Sequence, residues 1–466
     1  MLTPCRTSTR PCGSTRNRPS VLGRGAGSPA AGAASSTLRR RATTSLGIRR
    51  STAGQTTCLR RGHGNHQNRA RIVRDDLPVV EEPMPPLLTP AFVALGLADL
   101  AYFVSVGIAI HTLPLYAVGP VGSDEAGAGL AFGAFGITAL ICRPIAGRLS
   151  DVHGRIPLLV GGALLAAAGM VLLPYVDTLV AVVAIRLLQG VAEAAFFVAG
   201  FALLADLAPP ERLGEALSYN SLGLYLGIAF GPPLGEFVEE QWGFTAAWWV
   251  AGVLAAAAAV IIRWVPEAAR LDSDGHGKLI HRPGIPASLG FFASLAAISG
   301  FLAFASLWSA DVGMENTSIP LVVYGVVVVV CRVVFARVPD RLPSLPLGAA
   351  SLVAIAVGLA LLTGWRSPTG LLVGVVVMAV GVTFSTPAFF AAIFATASPA
   401  ERGAAAGTAS AFIDLGLGFG PIALGLVARE QGLPWAFGVG CGIALAGAAW
   451  TALLAVRTST QPSLRS

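Results

Sequence analysis

Between residues 91 and 456 the chain alternates long apolar runs with short polar breaks. Twelve runs can be counted, near 91–116, 126–148, 156–174, 178–205, 213–238, 244–265, 286–310, 317–338, 345–363, 368–396, 402–427 and 434–456. At about 1.5 Å per helical residue, each is long enough to cross a hydrocarbon core of about 30 Å. The most distinctive break is Gly147-Arg148-Leu149-Ser150-Asp151-Val152-His153-Gly154-Arg155, which reads as a short charged hinge between the second and third runs.

The approach to that hinge recurs. Cys142-Arg143 precedes Asp151 as Cys331-Arg332 precedes Asp340, 189 residues later, and Gly231-Pro232 lies 189 residues before Gly420-Pro421. Ala208-Pro209-Pro210-Glu211-Arg212 opens the fifth run, as Ser398-Pro399-Ala400-Glu401-Arg402 opens the eleventh. An apolar chain whose halves repeat around a charged hinge has the pattern of a secondary transporter with internal symmetry. The expected organisation is an extension over 1–88, a six-helix half over 89–265, a linker over 266–285, a second six-helix half over 286–457 and a tail over 458–466.

Composition agrees with a polytopic membrane protein. Of 466 residues, 54% are hydrophobic and 12% charged, against about 25% charged in soluble domains. The net charge of +7 is misleading, because residues 1–74 hold fifteen Arg and no acid, leaving 17 basic against 25 acidic side chains in the rest. The basic balance therefore belongs to the extension and implies no nucleic-acid partner. The extension has no apolar stretch able to act as a signal-peptide core, and Arg39-Arg40-Arg41 lacks the run that a twin-arginine signal needs. Its composition also fits an organellar transit peptide; a disordered cytoplasmic extension or an upstream start codon is the preferred reading. Cys142, Cys331 and Cys441 sit in apolar runs without metal-ligand spacing, so neither a metal nor another cofactor is expected.

Loop charges set an expected orientation. One side collects Arg148, Arg155, Arg212, the linker with Lys278 and Arg282, Arg337, Arg341 and Arg402. The other collects Asp124, Glu125, Asp177, Glu239, Glu240, Asp311 and Glu315, with Arg366 and Arg429 its basic residues. Both termini should be cytoplasmic, in a plasma membrane unless the extension is a transit peptide.

These residues resemble the major facilitator superfamily over about 88–457. The family signature Gly-x-Leu-Ala-Asp-Arg-x-Gly-Arg-Lys is met by Gly147, Leu149, Asp151, Gly154 and Arg155, with Ser150, Val152 and Ile156 departing from it. The second copy keeps Asp340 and Arg341 but lacks both glycines. The resemblance implies an all-α membrane fold of twelve helices in two pseudo-symmetric six-helix bundles. It also implies that the hinge contacts of Asp151 and Arg155 hold the cytoplasmic side closed. Arg143 and Arg332 can snorkel to headgroups or brace the gates, and bracing is preferred because the repeat keeps both beside the hinge acid. From the residues alone, Gly147 and Gly154 permit a tight turn and close approach, and Asp151 suits a helix N-terminus or an Arg as partner.

Arg186, Gln189, Gly190 and Glu193 in the fourth run fall on one helical stripe and resemble Arg-x-x-Gln-Gly-x-Gly-Ala of proton-coupled members. Arg186 and Glu193 stand about 10.5 Å apart along the axis, so each needs partners on other helices. Gly223, Gly227, Gly231, Pro232 and Gly235 in the fifth run resemble the motif of the exporting antiporters, and Gly416, Gly420, Pro421 and Gly425 repeat a looser form. The glycine ridge allows close packing and Pro232 bends the axis; ordinary glycine-rich membrane packing is the competing explanation, and export is preferred over import.

Asp99 and Asp414 are the other deep carboxylates. An acid desolvated at that depth suits reversible protonation, and pairing with Arg186 or another cation is the competing explanation. For proton coupling Glu193 ranks first, Asp99 second and Asp414 third. His111 is expected to face the membrane interface. Tyr102, Asn220, Tyr225, Trp308, Phe384 and Phe390 are candidates for lining a central cavity.

The expected function is alternating-access transport of a small molecule by a monomer, through proton-coupled export of an amphiphilic compound. A proton-coupled importer of a sugar or organic acid is the alternative, and a polytopic membrane enzyme the alternative of another class. Catalytic residues are not expected, because the six His are scattered and an enzyme gives the duplicated halves no purpose; no phosphate-binding Gly-x-x-x-x-Gly-Lys-Ser/Thr loop occurs, so direct ATP drive is not expected.

Overall fold

A computed structural model describes residues 87–209, 212–267, 280–398 and 401–459; the extension expected over 1–88 thus lies almost wholly outside the described residues, as do most of the linker and the end of the tail. The described chain is helical throughout: α1 (Pro90–Val118), α2 (Glu125–His153), α3 (Arg155–Leu172), α4 (Leu179–Leu207), α5 (Leu213–Ile262), α6 (Ile285–Asp311), α7 (Ile319–Val334), α8 (Val338–Arg341), α9 (Ser344–Gly364), α10 (Pro368–Phe394), α11 (Arg402–Gln431) and α12 (Leu433–Ser459). Local chemistry sets several of the starts. Thr89, Asp124, Thr178 and Ser367 each accept a hydrogen bond from a backbone N–H in the first turn of the helix they precede.

Ten of these helices are long and apolar enough to cross a membrane. The fifth and sixth runs form one fifty-residue element, α5, broken at Gly243, whose φ of 82° and ψ of 174° leave the helical region. A Cβ is strained at such a φ, so glycine is the residue that lets the chain turn there with a single-residue break. The eighth run is expected over 317–338, but α7 is only 16 residues long and unwinds at Phe335.

Within the first half, α1 packs along α5, α2 along α4, and α3 against α4 and α5; in the second, α9 packs against α10 and α12, and α6 against α11 and α12. The halves meet through α2 on α11, α5 on α7 and α1 on α6. Close approach depends on small residues. A Cβ on Gly231 would stand 2.5 Å from the Gly107 Cα, and one on Gly133 would stand 2.1 Å from the Gly418 carbonyl oxygen. The first of these contacts joins α5 to α1, and the second joins the halves.

Gly147 to His153 form no turn; they continue α2, and the chain breaks only at Gly154, with φ 101° and ψ 163°. The Gly154 N–H still bonds to the Ser150 carbonyl, which ends α2 and starts α3 at the next residue. Gly147 is helical, and a Cβ there would come no nearer than 3.9 Å to Val198.

Candidate functional site

Four helices bring four charged residues of widely separated sequence to one central level. Arg143 of α2 crosses to the other half and grips Asp414 of α11 with two guanidinium nitrogens: Nε donates to Oδ2, and an Nη donates to Oδ1 at 2.8 Å. Both side chains are nearly enclosed, at 12% and 6% exposure. The guanidinium also lies over the Phe197 ring, 4.4 Å from its centroid. Such a fork-to-carboxylate pair is among the stronger polar contacts available.

Glu193 of α4 lies within electrostatic reach of Arg143, Asp414 and Arg186. Its Oε2 accepts a hydrogen bond from the Tyr102 hydroxyl at 2.8 Å, and the Tyr102 ring stacks on Phe196 at 3.8 Å. Asp99 of α1, 3% exposed, faces Glu193 and makes no hydrogen bond or ion pair among the described residues. It lines a narrow cleft with Phe103, Phe196, Phe197, Phe201 and Asn220. Asp99, Glu193, Arg143 and Asp414 thus form a chain of charges from one half to the other.

Arg186 does not pair with Asp414. Its Nε donates to the Ala131 carbonyl, an Nη donates to Gln189 Oε1 at 2.7 Å, and its guanidinium lies over Phe135. The Gln189 amide nitrogen has no partner among the described residues. Asp414 has Arg143 instead because α11 packs on α2, a tertiary contact that the sequence does not announce.

The counterpart Arg332 also crosses between halves. Its Nη atoms donate to the Ser221 and Tyr225 hydroxyls of α5, and its guanidinium lies over the Tyr225 ring. Tyr225 stands 189 residues before Asp414, the offset that separates Arg143 from Arg332. The two cross-half contacts are therefore equivalent by the internal repeat, with a carboxylate in one and a phenol in the other. Arg143 and Arg332 both reach central partners, rather than the hinge.

At the hinge, Arg155 donates to Asp151 at 2.6 Å and to Asp206 at 3.3 Å. The start of α3 has no cap of its own, and Glu267 supplies one by accepting from the N–H groups of Arg155 and Ile156. Asp206 and Glu267 carry no motif, and only folding reveals their part. Asp151 remains 62% exposed. Arg341 is exposed in α8, and the side chain of Asp340 lies outside the described residues.

The face opposite the hinge is clasped shut where α5 meets α7 and α1 meets α6, beside an open crevice lined by Asp124, Leu130, Leu179, Ile422, Leu426 and Arg429. Glu236 of α5 takes hydrogen bonds from the backbone N–H and hydroxyl groups of both Thr317 and Ser318, at the start of α7. His111 is not at the membrane interface as expected. It is 1% exposed and hydrogen bonded to Ser306 of α6, because α1 packs against α6 at that level. Among the described residues, the cross-half hydrogen bonds, ion pairs and close glycine contacts lie between this sealed face and the level of Arg143 and Arg332.

Of the other cavity candidates, Tyr102, Tyr225 and Trp308 are buried; Phe384 packs on Phe335, and Phe390 on Phe291 and Phe394. The glycine ridge faces α1: a Cβ on Gly227 would meet the Phe103 backbone at 2.4 Å, one on Gly235 would touch Ile108 and Thr112, and Gly223 lies beside Asp99. Pro232 and Pro421 both lie inside their helices. Gly420 faces Ala296 and Ser299 of α6.

Comparison with known proteins gives a consistent picture. The family model described as Major Facilitator Superfamily matches residues 95–391. An uncharacterised MFS-type transporter of Salmonella typhimurium is 28% identical over 370 residues, covering 76% of this chain and 93% of that protein. Among solved structures, a bacterial homologue of the human lysosomal transporter Spinster, in an inward-facing and occupied conformation, aligns with a TM-score of 0.66 at 16% identity, covering 79% of this chain and 96% of that one. The nucleoside transporter NupG aligns with a TM-score of 0.65 at 16% identity, covering 78% and 99%.

Proposed function

Because this chain belongs to the Major Facilitator Superfamily, and so is a multi-pass membrane transporter, we propose that it exports a small amphiphilic compound in exchange for protons by alternating access. The observation that carries this reading is the Arg143–Asp414 bridge between the halves, with Glu193 and Asp99 beside it. A carboxylate that gains a proton loses its hold on a guanidinium. A proton on Asp414 releases Arg143, which then has Glu193 within reach, and the bond between halves is lost. Proton binding and the rocking of the halves are linked by that exchange of partners.

Loop charge supports placing the hinge face in the cytoplasm, and bacterial relatives support a plasma membrane. With the cross-half contacts gathered toward the opposite face, the arrangement favours entry of an exported compound from the cytoplasm. The Asp99 cleft, bounded by Phe103, Phe196, Phe197 and Phe201, is too small for such a compound as it stands, but it sets an acid among apolar rings, which favours a compound with a cationic end once the halves move. The glycine and proline pattern of α5, similar to that of exporting antiporters, supports the outward direction.

The test is direction-resolved flux in proteoliposomes across a panel of amphiphilic compounds. Export predicts that an imposed proton gradient drives compound in the direction opposite to the protons. Compound moving with the protons would contradict export and favour import of a sugar or organic acid. Flux indifferent to the gradient would contradict coupling.

A further inference from the structure

The sealed face holds a second group of titratable side chains that the central bridge does not use. His111 of α1 is 1% exposed. Its Nδ1 lies 2.9 Å from the Ser306 hydroxyl of the other half. Its Nε2 lies 4.0 Å from Glu239 Oε2 on α5. That carboxylate oxygen is buried and has no hydrogen-bond partner among the described residues.

Glu236, one turn earlier, is its opposite in this respect. It accepts from four donors across the interface, two of them backbone N–H groups at the start of α7. A carboxylate with four donors has its hydrogen-bonding capacity filled. Glu239 has no such support. Its side chain is 18% exposed, but holding it ionised beside a neutral imidazole leaves the enclosed Oε2 end of the charge without a counter-ion or a donor, which is costly. One added proton removes the difficulty wherever it sits. On Glu239 it neutralises the acid; on His111 it gives the ring two N–H donors, one for Ser306 and one for Glu239.

The other groups around this site are accounted for. On α5, Glu236 and Glu239 face His111, and Glu240 lies within reach of Glu239. On α6 the partner is the neutral Ser306, while the terminal Asp311 lies within reach of Glu125 of α2. On α4, Arg186 is turned to Ala131, Gln189 and Phe135.

We propose that His111 and Glu239 together form a second proton-binding site, separate from the central carboxylates, which holds one proton while this face is sealed and releases it when the face opens. Opening draws Ser306 away with its half and admits water to both groups. Hydrated at pH above about 7, a His is neutral and a Glu ionised, so the proton departs. The sealed form binds one proton more than the open form, and low pH therefore favours sealing. The proposal rests on the alternating-access reading above, though not on substrate, direction or the role of Glu193.

The test follows the face itself. Spin labels at Asp177→Cys and Arg366→Cys, both exposed positions on this face, in a background with the native cysteines replaced, report the separation of the halves by electron–electron resonance in lipid nanodiscs. Between pH 6 and 9 the ratio of sealed to open forms should fall, by up to about tenfold per pH unit for one proton. His111→Gln and Glu239→Gln should each flatten that dependence, whereas Glu193→Gln should leave a pH-dependent shift. The proposal is overturned if the unsubstituted pair shows no pH response, or if both variants keep its full response. Should His111→Gln fail to give monodisperse protein, Glu239→Gln alone decides. A failure of compound flux alongside a surviving, His111-dependent distance change would count against the transport reading and leave this site standing.

Discussion

Arg143 and Asp414 are enclosed too well for either to lose its partner cheaply. Asp414→Asn removes the ion pair and leaves Arg143 with Glu193 as its remaining acid, and breaking a buried pair from one side costs up to about 3–5 kcal/mol. We expect that variant to lower the thermal midpoint of the detergent-solubilised protein clearly, and Arg143→Gln combined with Asp414→Asn to recover most of the loss. If the double variant were as unstable as the single one, the bridge would not be the cause. At this scale the sequence was informative about which residues and silent about whom they touch. The 189-residue repeat singles out Arg143 and Arg332, and burial cost singles out Asp99, Glu193 and Asp414. Asp414 finds Arg143 rather than Arg186 only because α11 lies on α2. Ser306, Asp206 and Glu267 have no local signature at all, since their partners stand 51 to 195 residues away.

Helix packing obeys the same repeat. Gly107 lies against Gly227 and Gly231, and Ala296 lies against Gly416 and Gly420, with each residue 189 positions from its counterpart. The contacts at Gly231 are backbone atoms of Gly107 and Ile108, which cannot swing aside. Gly231→Leu should therefore destabilise by about 1–3 kcal/mol or more, as overpacking does, read as a fall in thermal midpoint. Gly403→Ala, at a helical position with no atom within 4 Å of the added carbon, should be neutral or stabilising by up to about 1 kcal/mol. Comparable losses at both sites would contradict the ridge assignment. The elements themselves were largely legible, because apolar length alone marks a crossing helix. The continuous α2 through Gly147 to His153 was not: charged residues resemble a break, yet nothing in their backbone chemistry ends a helix before Gly154.

In the whole molecule, the contacts between halves are concentrated on one side, so opening that side requires Glu236 to leave Thr317 and Ser318. Hydrogen bonds to a charged group are worth about 1.5–3 kcal/mol each, and Glu236→Gln should speed labelling of a buried Ser309→Cys reporter by about tenfold or more, measured with a membrane-impermeant maleimide. An unchanged rate would mean that the clasp does not hold the face shut. The duplicated plan was readable from three landmarks at nearly one offset; the sealed side was not, because it rests on contacts such as Glu236 with Thr317 and Ser318, 81 and 82 residues apart in the chain. The central claim is that buried carboxylates between the halves carry protons during transport, and one measurement addresses it most directly. In proteoliposomes with a lumenal pH dye, addition of a transported compound should move protons, and Glu193→Gln, whose amide oxygen still accepts from Tyr102, should abolish that movement. Full compound flux with no proton movement in the unsubstituted protein would contradict the account.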